Sequence, residues 1–415
     1  MLNHLVESCT YNHDLQPARP YTDTMQRFRH RRMRVQEIEV GRKDRLAGVD
    51  VLRGLCILSV VLHHIHLRFT TSRHPRYPVN DVLPETLNRV LFWSGMYAVI
   101  AFFVISGFLI AGLSIRRWGE LGSVHTGRFY RMRMARIFPC LLLVLAVLSA
   151  LHFLGVPGAE MYPGRASLGQ SVFAALTFRM NWLEGVWSWS APAWGVLWSL
   201  SIEEVFYIAF PLVCLFLRSE KVLPWALLVL IIAGPINRVI YADDQPWGAY
   251  AYLSCMDGMA FGCLAALVSA RVTLSERVLR MSLVAGAILA MSIVIFCDEN
   301  NYHDGLAGYG LNFTLLEIGV ALMLVALGKG IGNRTMSVGT GWLRALGRWS
   351  YEIYLFHMLP LIGLIAWFKQ SERPGYAFIA TYIAMLLASI ALGYLVFRFF
   401  SEPLNRKLRG PGRQP

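Results

Sequence analysis

Ten stretches of about 20 predominantly apolar residues recur along the chain, and no other feature restricts its folding so severely. A run of that length matches the hydrocarbon core of a bilayer, where only helices and closed barrels satisfy every backbone polar group. The runs are Ala47–His66, Val90–Ser114, Ile137–Val156, Trp194–Leu217, Val222–Tyr241, Tyr250–Ala270, Met281–Cys297, Leu311–Leu327, Ser350–Phe368 and Ala377–Phe400. Glu203 and Glu204 interrupt the fourth and Glu317 the eighth, so these two are the least regular. Composition agrees: 16% of the 415 residues are charged, against roughly 25% in soluble domains. The expected fold is therefore all-α, a polytopic integral membrane protein of about ten transmembrane helices. Disorder, collagen, coiled coil and a secreted disulfide scaffold are excluded. The seven cysteines are odd in number and lie mostly inside apolar runs, which points to reduced, buried thiols. No CxxC or Cys/His cluster suggests a metal, and no permanently bound cofactor is expected.

An even number of spans places both termini on one side. With that side cytoplasmic, the inside segments hold 28 Lys and Arg and the outside loops eight, despite Arg68, Arg73, Arg76 and Arg89 in the first outer loop. Both termini are thus expected in the cytoplasm. The net charge of +13 is a topological signal, not a nucleic-acid footprint. The expected organisation is a basic cytoplasmic tail over 1–46, a membrane domain over 47–400 and a basic cytoplasmic tail over 401–415. The first of these has no apolar stretch and is not a signal peptide. Trp187, Trp189, Trp194 and Trp198 cluster just outside the fourth span. Such clusters read first as an aromatic belt and second as a sugar-stacking platform. No internal repeat is evident, which counts against a transporter built from inverted repeats.

Ionisable residues within the spans are costly and mark function. In the first span, Arg53 and His64 are eleven residues apart. On an α-helix they share a face to within about 20° and differ in height by about 16 Å. Asp50 lies on the same stripe one turn below Arg53, whereas His63 falls away from it and His66 points to nearly the opposite side. In the fourth span Glu203 and Tyr207 share a face at i and i+4, at the depth of His64. The ninth carries His357 near mid-depth. For each, a structural role is the competing reading: Asp50 and Arg53 as an interfacial pair, the histidines as hydrogen-bonded bundle residues.

These residues sit in motifs that resemble the acyltransferase 3 family. Asp50-Val-Leu-Arg53-Gly with His64 is similar to the family's first-helix signature, and Phe102-Phe-Val-Ile-Ser106-Gly107-Phe-Leu-Ile110 to its second. Arg133-Met-Ala-Arg136-Ile-Phe-Pro139, Trp198-Ser-Leu-Ser-Ile-Glu203-Glu-Val-Phe-Tyr207, Ser350-Tyr-Glu-Ile-Tyr-Leu-Phe-His357 and Glu402-Pro403 resemble its later blocks, in family order. Met132 and Val205 depart from residues common in the family, Arg and Gln. The resemblance implies transfer of an acyl group, with acetyl the expected one, from cytoplasmic acyl-CoA to a hydroxyl of a glycan or other acceptor at the cell surface or in export. It implies a multi-pass protein of the cell's inner (plasma) membrane, with donor, acceptor and lipid bilayer as its partners. The residues carry no mark of an oligomeric state. Family members with an appended extracytoplasmic hydrolase-like domain are not the expected model.

Within that chemistry His64 is the expected general base, because a neutral imidazole can take a hydroxyl proton near neutral pH. Glu203 is expected to hold its far ring nitrogen. Arg53 is expected to meet anionic groups of the donor, with Arg133 and Arg136 as further phosphate candidates or plain interfacial anchors. Asp50, Tyr207 and His357 are expected around the substrates. Ser106 and Gly107 would admit the pantetheine arm or, equally, let helices pack closely. The alternative is a proton-coupled transporter or exporter that uses Arg53, His64 and Glu203 as a relay; release of free CoA thiol would separate the two. A non-catalytic membrane scaffold ranks last.

Overall fold

The computed structural model describes residues 46–70, 83–187, 190–217, 219, 221–298, 303, 305–370 and 376–409. The expected N-terminal tail, the last six residues, Arg73, Arg76 and Trp189 lie outside the described residues. What is described is helical, with no strand. The long helices are α1 (Ala47–Thr70), α2 (Gly95–Trp118), α3 (Thr126–Phe153), α4 (Trp198–Leu217), α5 (Leu223–Ile240) and α6 (Tyr252–Arg271). They continue with α7 (Glu276–Phe296), α8 (Leu311–Gly328), α9 (Gly341–Phe356), α10 (Met358–Gln370), α11 (Tyr376–Val396) and the short terminal α12 (Glu402–Arg409). Among the described residues, nine helical segments are long and apolar enough to cross a membrane, or ten if α9 and α10, bent by 60°, form one span. The two glutamate-bearing runs both fold as spans, since a helix satisfies its own backbone and carboxylates can face neighbouring helices.

Burial separates central from peripheral helices. In α2 and α6, 72% of the most apolar window is buried, and both are central. In α7 only 17% is buried. Its buried residues, Leu279, Gly286 and Ile293, recur every seven positions, so it touches the bundle along a single seam. The central crossings are close because glycine removes the side chain between backbones. A Cβ on Gly107 of α2 would collide with the Met259 carbonyl of α6. A Cβ on Gly54 of α1 would likewise strike the Leu343 carbonyl of α9.

Three boundaries differ from the hydropathy reading. The second run is divided: Val90–Phe92 belongs to a separate helix, Glu85–Phe92, and α2 starts at Gly95. The third helix starts at Thr126, not Ile137, so Arg128, Arg131, Arg133 and Arg136 stand on α3 itself. Hydropathy ends where the arginines begin, but arginine is a good helix former and the helix continues through them. The ninth run breaks at His357. Pro360 explains the break, since it lacks an N–H and its ring clashes with the carbonyl four residues back.

Of the three described tryptophans of the cluster, Trp187 is exposed and two are internal. Trp194 is fully buried and donates its indole N–H to the Ala159 carbonyl at 3.0 Å. Trp198 is buried with its ring centroid 4.2 Å from that of Tyr250. Nearby, buried Glu184 accepts from the Ser190 N–H at 2.8 Å, and burial pushes its carboxyl up from the usual range. At the other end of the bundle α11 runs through a π-helical turn, Phe397–Ser401, into α12. An apolar groove lies beside this turn, lined by Met134, Phe138 and Leu142 of α3 together with Phe400, Leu404 and Leu408.

Candidate active site

α1 presents Asp50, Arg53 and His64 on one stripe, as the helical period requires, and all three are half-buried. The Arg53 guanidinium donates to the buried Ser350 hydroxyl on α9 at 2.8 Å. It lies within electrostatic range of Asp50, Arg136, Glu203 and Glu352. One hydrogen bond leaves most of its five N–H donors available.

His64 sits three turns further along. Its Nδ1 is 2.9 Å from the Val60 carbonyl, one turn back on α1. A carbonyl only accepts, so Nδ1 carries the proton and Nε2 carries the lone pair. The ring meets that of His357 edge to face, with centroids 4.9 Å apart. His357 repeats the arrangement: its Nδ1 is held by the Tyr354 carbonyl at 2.6 Å. Its Nε2 is buried and has no hydrogen-bond partner among the described residues. His63 also stands edge to face with His64, ring centroids 5.3 Å apart, while its Nδ1 meets the Phe92 carbonyl at 3.0 Å; His66 stacks on the Phe92 ring at 5.0 Å.

The expected pairing of Glu203 with the far nitrogen of His64 is not what the structure holds. Glu203 instead accepts from Ser106 on α2 at 2.9 Å and from Tyr207 on its own helix at 3.4 Å. The reason is local: His64 has already satisfied Nδ1 within its own helix. Ser106 is therefore a partner of Glu203, and its neighbour Gly107 packs against the α6 backbone, which is the close-packing alternative. Arg133 lies over the Tyr207 ring at 4.7 Å, next to the same carboxylate. Arg136 is a different case. It forms an ion pair with Glu352 of α9 at 2.7 Å, where Glu352 is fully buried and also accepts from Ser401 at 2.5 Å. Its charge is committed inside the fold, so it is a poor candidate for donor phosphate. The structure thus joins Arg53, Glu203, Ser106, Tyr207 and Arg133 in one polar interior and places His64 and His357 together above them along α1.

Sequence reasoning missed two features here. Glu352 lies inside the Ser350–His357 motif but was passed over beside its aromatic neighbours. The second is a buried cluster between α5, α6 and α8. Arg238 donates to Asp257 at 2.8 Å, to Thr314 at 2.6 Å, and to the carbonyls of Ser254 and Gly310 at 2.5 and 2.9 Å. Glu317, also fully buried, lies within electrostatic range of this pair. The available signal was charge inside apolar runs, since Arg238 and Asp257 each interrupt one.

The helical bundle with its buried polar interior places the chain in the class of polytopic membrane-embedded proteins. It belongs to the acyltransferase 3 family, whose acyltransferase-domain model matches residues 46–398. The O-acetyltransferase OatA of Staphylococcus aureus (strain NCTC 8325 / PS 47) is 22% identical over 386 residues, covering 87% of this chain and 57% of the relative. The protein of the same name from strain COL matches to the same extent. The chain thus spans little more than half the length of these curated relatives. No solved structure matches.

Proposed function

We propose that the protein is a membrane O-acyltransferase that moves an acyl group, acetyl in the first instance, from cytoplasmic acyl-CoA to a hydroxyl of a glycan or other acceptor reached from the opposite side. The observation that carries this reading is the tautomer of His64. With Nδ1–H fixed on Val60, the ring offers Nε2 as a base in a half-buried position about 16 Å along the helix from Arg53. That rise is of the order of an extended pantetheine arm. Arg53, with spare donors, and Arg133 would receive anionic parts of the donor, and the thioester would climb the α1 face toward His64. The cytoplasmic placement of the Arg53 end rests on the positive-inside count.

In the reaction, His64 Nε2 takes the proton of the acceptor hydroxyl as its oxygen attacks the thioester carbonyl. The new C–O bond forms, the C–S bond breaks, and the CoA thiolate receives the proton from His64. Glu203, held by Ser106 and Tyr207, lies within electrostatic range of Arg53 and Arg133 and completes the polar floor of the site. The family membership and the OatA relatives support acyl transfer; the choice of CoA thioester is the element under test. Purified protein in lipid nanodiscs, given acetyl-CoA and cell-envelope glycan, should release free thiol in step with acetyl ester on the glycan. Ester without thiol release would exclude the CoA donor, and neither product from any acyl donor would exclude the activity.

A further inference from the structure

We infer that His357 is a positioning residue for proton transfer, the second half of a histidine pair that carries the charge His64 acquires during the reaction. This rests on His64 being the base.

When Nε2 of His64 takes a proton, the ring becomes an imidazolium inside a helical bundle. Its Nδ1–H faces only the Val60 carbonyl, and the expected carboxylate is bound to Ser106 and Tyr207 instead. Two rings face it, those of His63 and His357, with centroids 5.3 and 4.9 Å away, and the nearer is His357. Both of its nitrogens are determined: Nδ1–H donates to Tyr354, so Nε2 must hold a lone pair, and that lone pair has no partner among the described residues. A fully buried acceptor without a donor is costly. Here it is also complementary to a proton that arrives only in the course of the reaction.

The two rings are adjacent, edge to face with centroids 4.9 Å apart, and no hydrogen bond joins them at rest. After proton uptake, a rotation that aligns the two rings lets His64 Nε2–H⁺ donate to His357 Nε2, and the same proton then returns through His64 to the departing thiolate. No atom or charge is left over. The backbone serves the same end. The chain breaks at His357 between α9 and α10, the Tyr354 carbonyl is capped by the His357 ring, and the His357 carbonyl accepts from Ser389 of α11 at 3.4 Å. The break thus holds the ring through Nδ1 and the backbone through its carbonyl.

The test measures steady-state transfer by folded, purified protein carrying His357→Phe or His357→Gln, with His64→Ala as the reference. Phe keeps ring bulk and removes the acceptor; Gln restores an oxygen near the Nε2 position. The expected result is a fall in kcat of about tenfold to a hundredfold for His357→Phe, with the donor KM unchanged and substantial recovery in His357→Gln. A wild-type kcat in His357→Phe, a loss that appears in KM, or a His357→Gln no better than His357→Phe would overturn the inference. Should His357→Phe not fold, the His357→Gln variant decides alone: near-wild-type kcat supports the acceptor role and full loss overturns it. If His64→Ala itself stays active, the base assignment fails and the pair with it. If His64→Ala is dead and His357→Phe is not, only the role of His357 is lost.

Discussion

Two buried arginines of this bundle are placed to opposite effect. Arg238, between α5, α6 and α8, is 5% exposed and spends its donors on Asp257, Thr314 and two backbone carbonyls. Arg53, on α1, is half-buried and makes one hydrogen bond, to Ser350. Both are expensive to hold in a membrane interior, and cost alone does not distinguish them. Saturation does. A guanidinium with every direction answered fixes helices to one another. One with donors to spare can meet something that is not part of the fold. The same contrast separates Arg136, committed to Glu352, from Arg133, which lies over Tyr207.

The largest expected effect tests the chemical side of this contrast. His64→Ala should lower transfer by about 10²–10⁴-fold, measured as thiol release per mole of folded protein. His63→Ala, which loses a bond to the Phe92 carbonyl and ring contacts to His64 and Trp93, should retain far more activity than His64→Ala; equal losses would remove the case for one face of α1. Next, Arg238→Ala leaves Asp257 buried without its cation and should destabilise the fold by about 3–5 kcal/mol. A thermal-shift assay in detergent reads this directly, and the molecules that do fold should keep their specific activity. Loss of activity at unchanged stability would move Arg238 into the site. Arg53→Ala should give the reverse pattern, with donor affinity weaker by about tenfold to a hundredfold and a small change in melting. Arg53→Lys should recover part of it, because charge persists without the planar fork. Donor binding by Arg53→Ala equal to wild type would leave Arg53 only its Ser350 contact and an interfacial role. The smallest effects contrast adjacent residues. Gly107→Ala should cost about 1–3 kcal/mol of stability through overpacking against α6, whereas Ser106→Ala, which frees Glu203, should reduce turnover with little loss of stability.

How much of this was legible in the sequence follows from what each signal measures. The stripe of Asp50, Arg53 and His64 was legible because helix periodicity fixes azimuth within a single element. The partner of His64 was not, because a side chain can be satisfied by its own backbone, and no spacing rule reveals whether it is. The N-terminal extension of α3 escaped for a different reason: hydropathy measures span depth and not helix length, and four arginines continue a helix readily. The break at His357 had a visible cause in Pro360, yet an unbroken apolar run concealed it. Arg238 and Asp257 were present as charges in two separate runs. Only the packing of α5 on α6 makes them one object.

The π-helical turn at Phe397–Ser401 sets an angular phase. A π turn accommodates one residue more than the regular helix would, and each residue of an α-helix advances the azimuth by about 100°. The turn thus absorbs its surplus residue and α12 keeps the azimuth of a continuous helix: Leu404 and Leu408 face the groove beside α3, with Arg406 and Lys407 on the more exposed flank. Ser401, at the end of the turn, touches both Glu352 and Arg136. Deleting one phenylalanine from the turn would change no charge and would let a regular turn close with α12 at its present azimuth. For this protein a one-codon deletion there should be better tolerated than one in the regular part of α11, which has no surplus residue to give up.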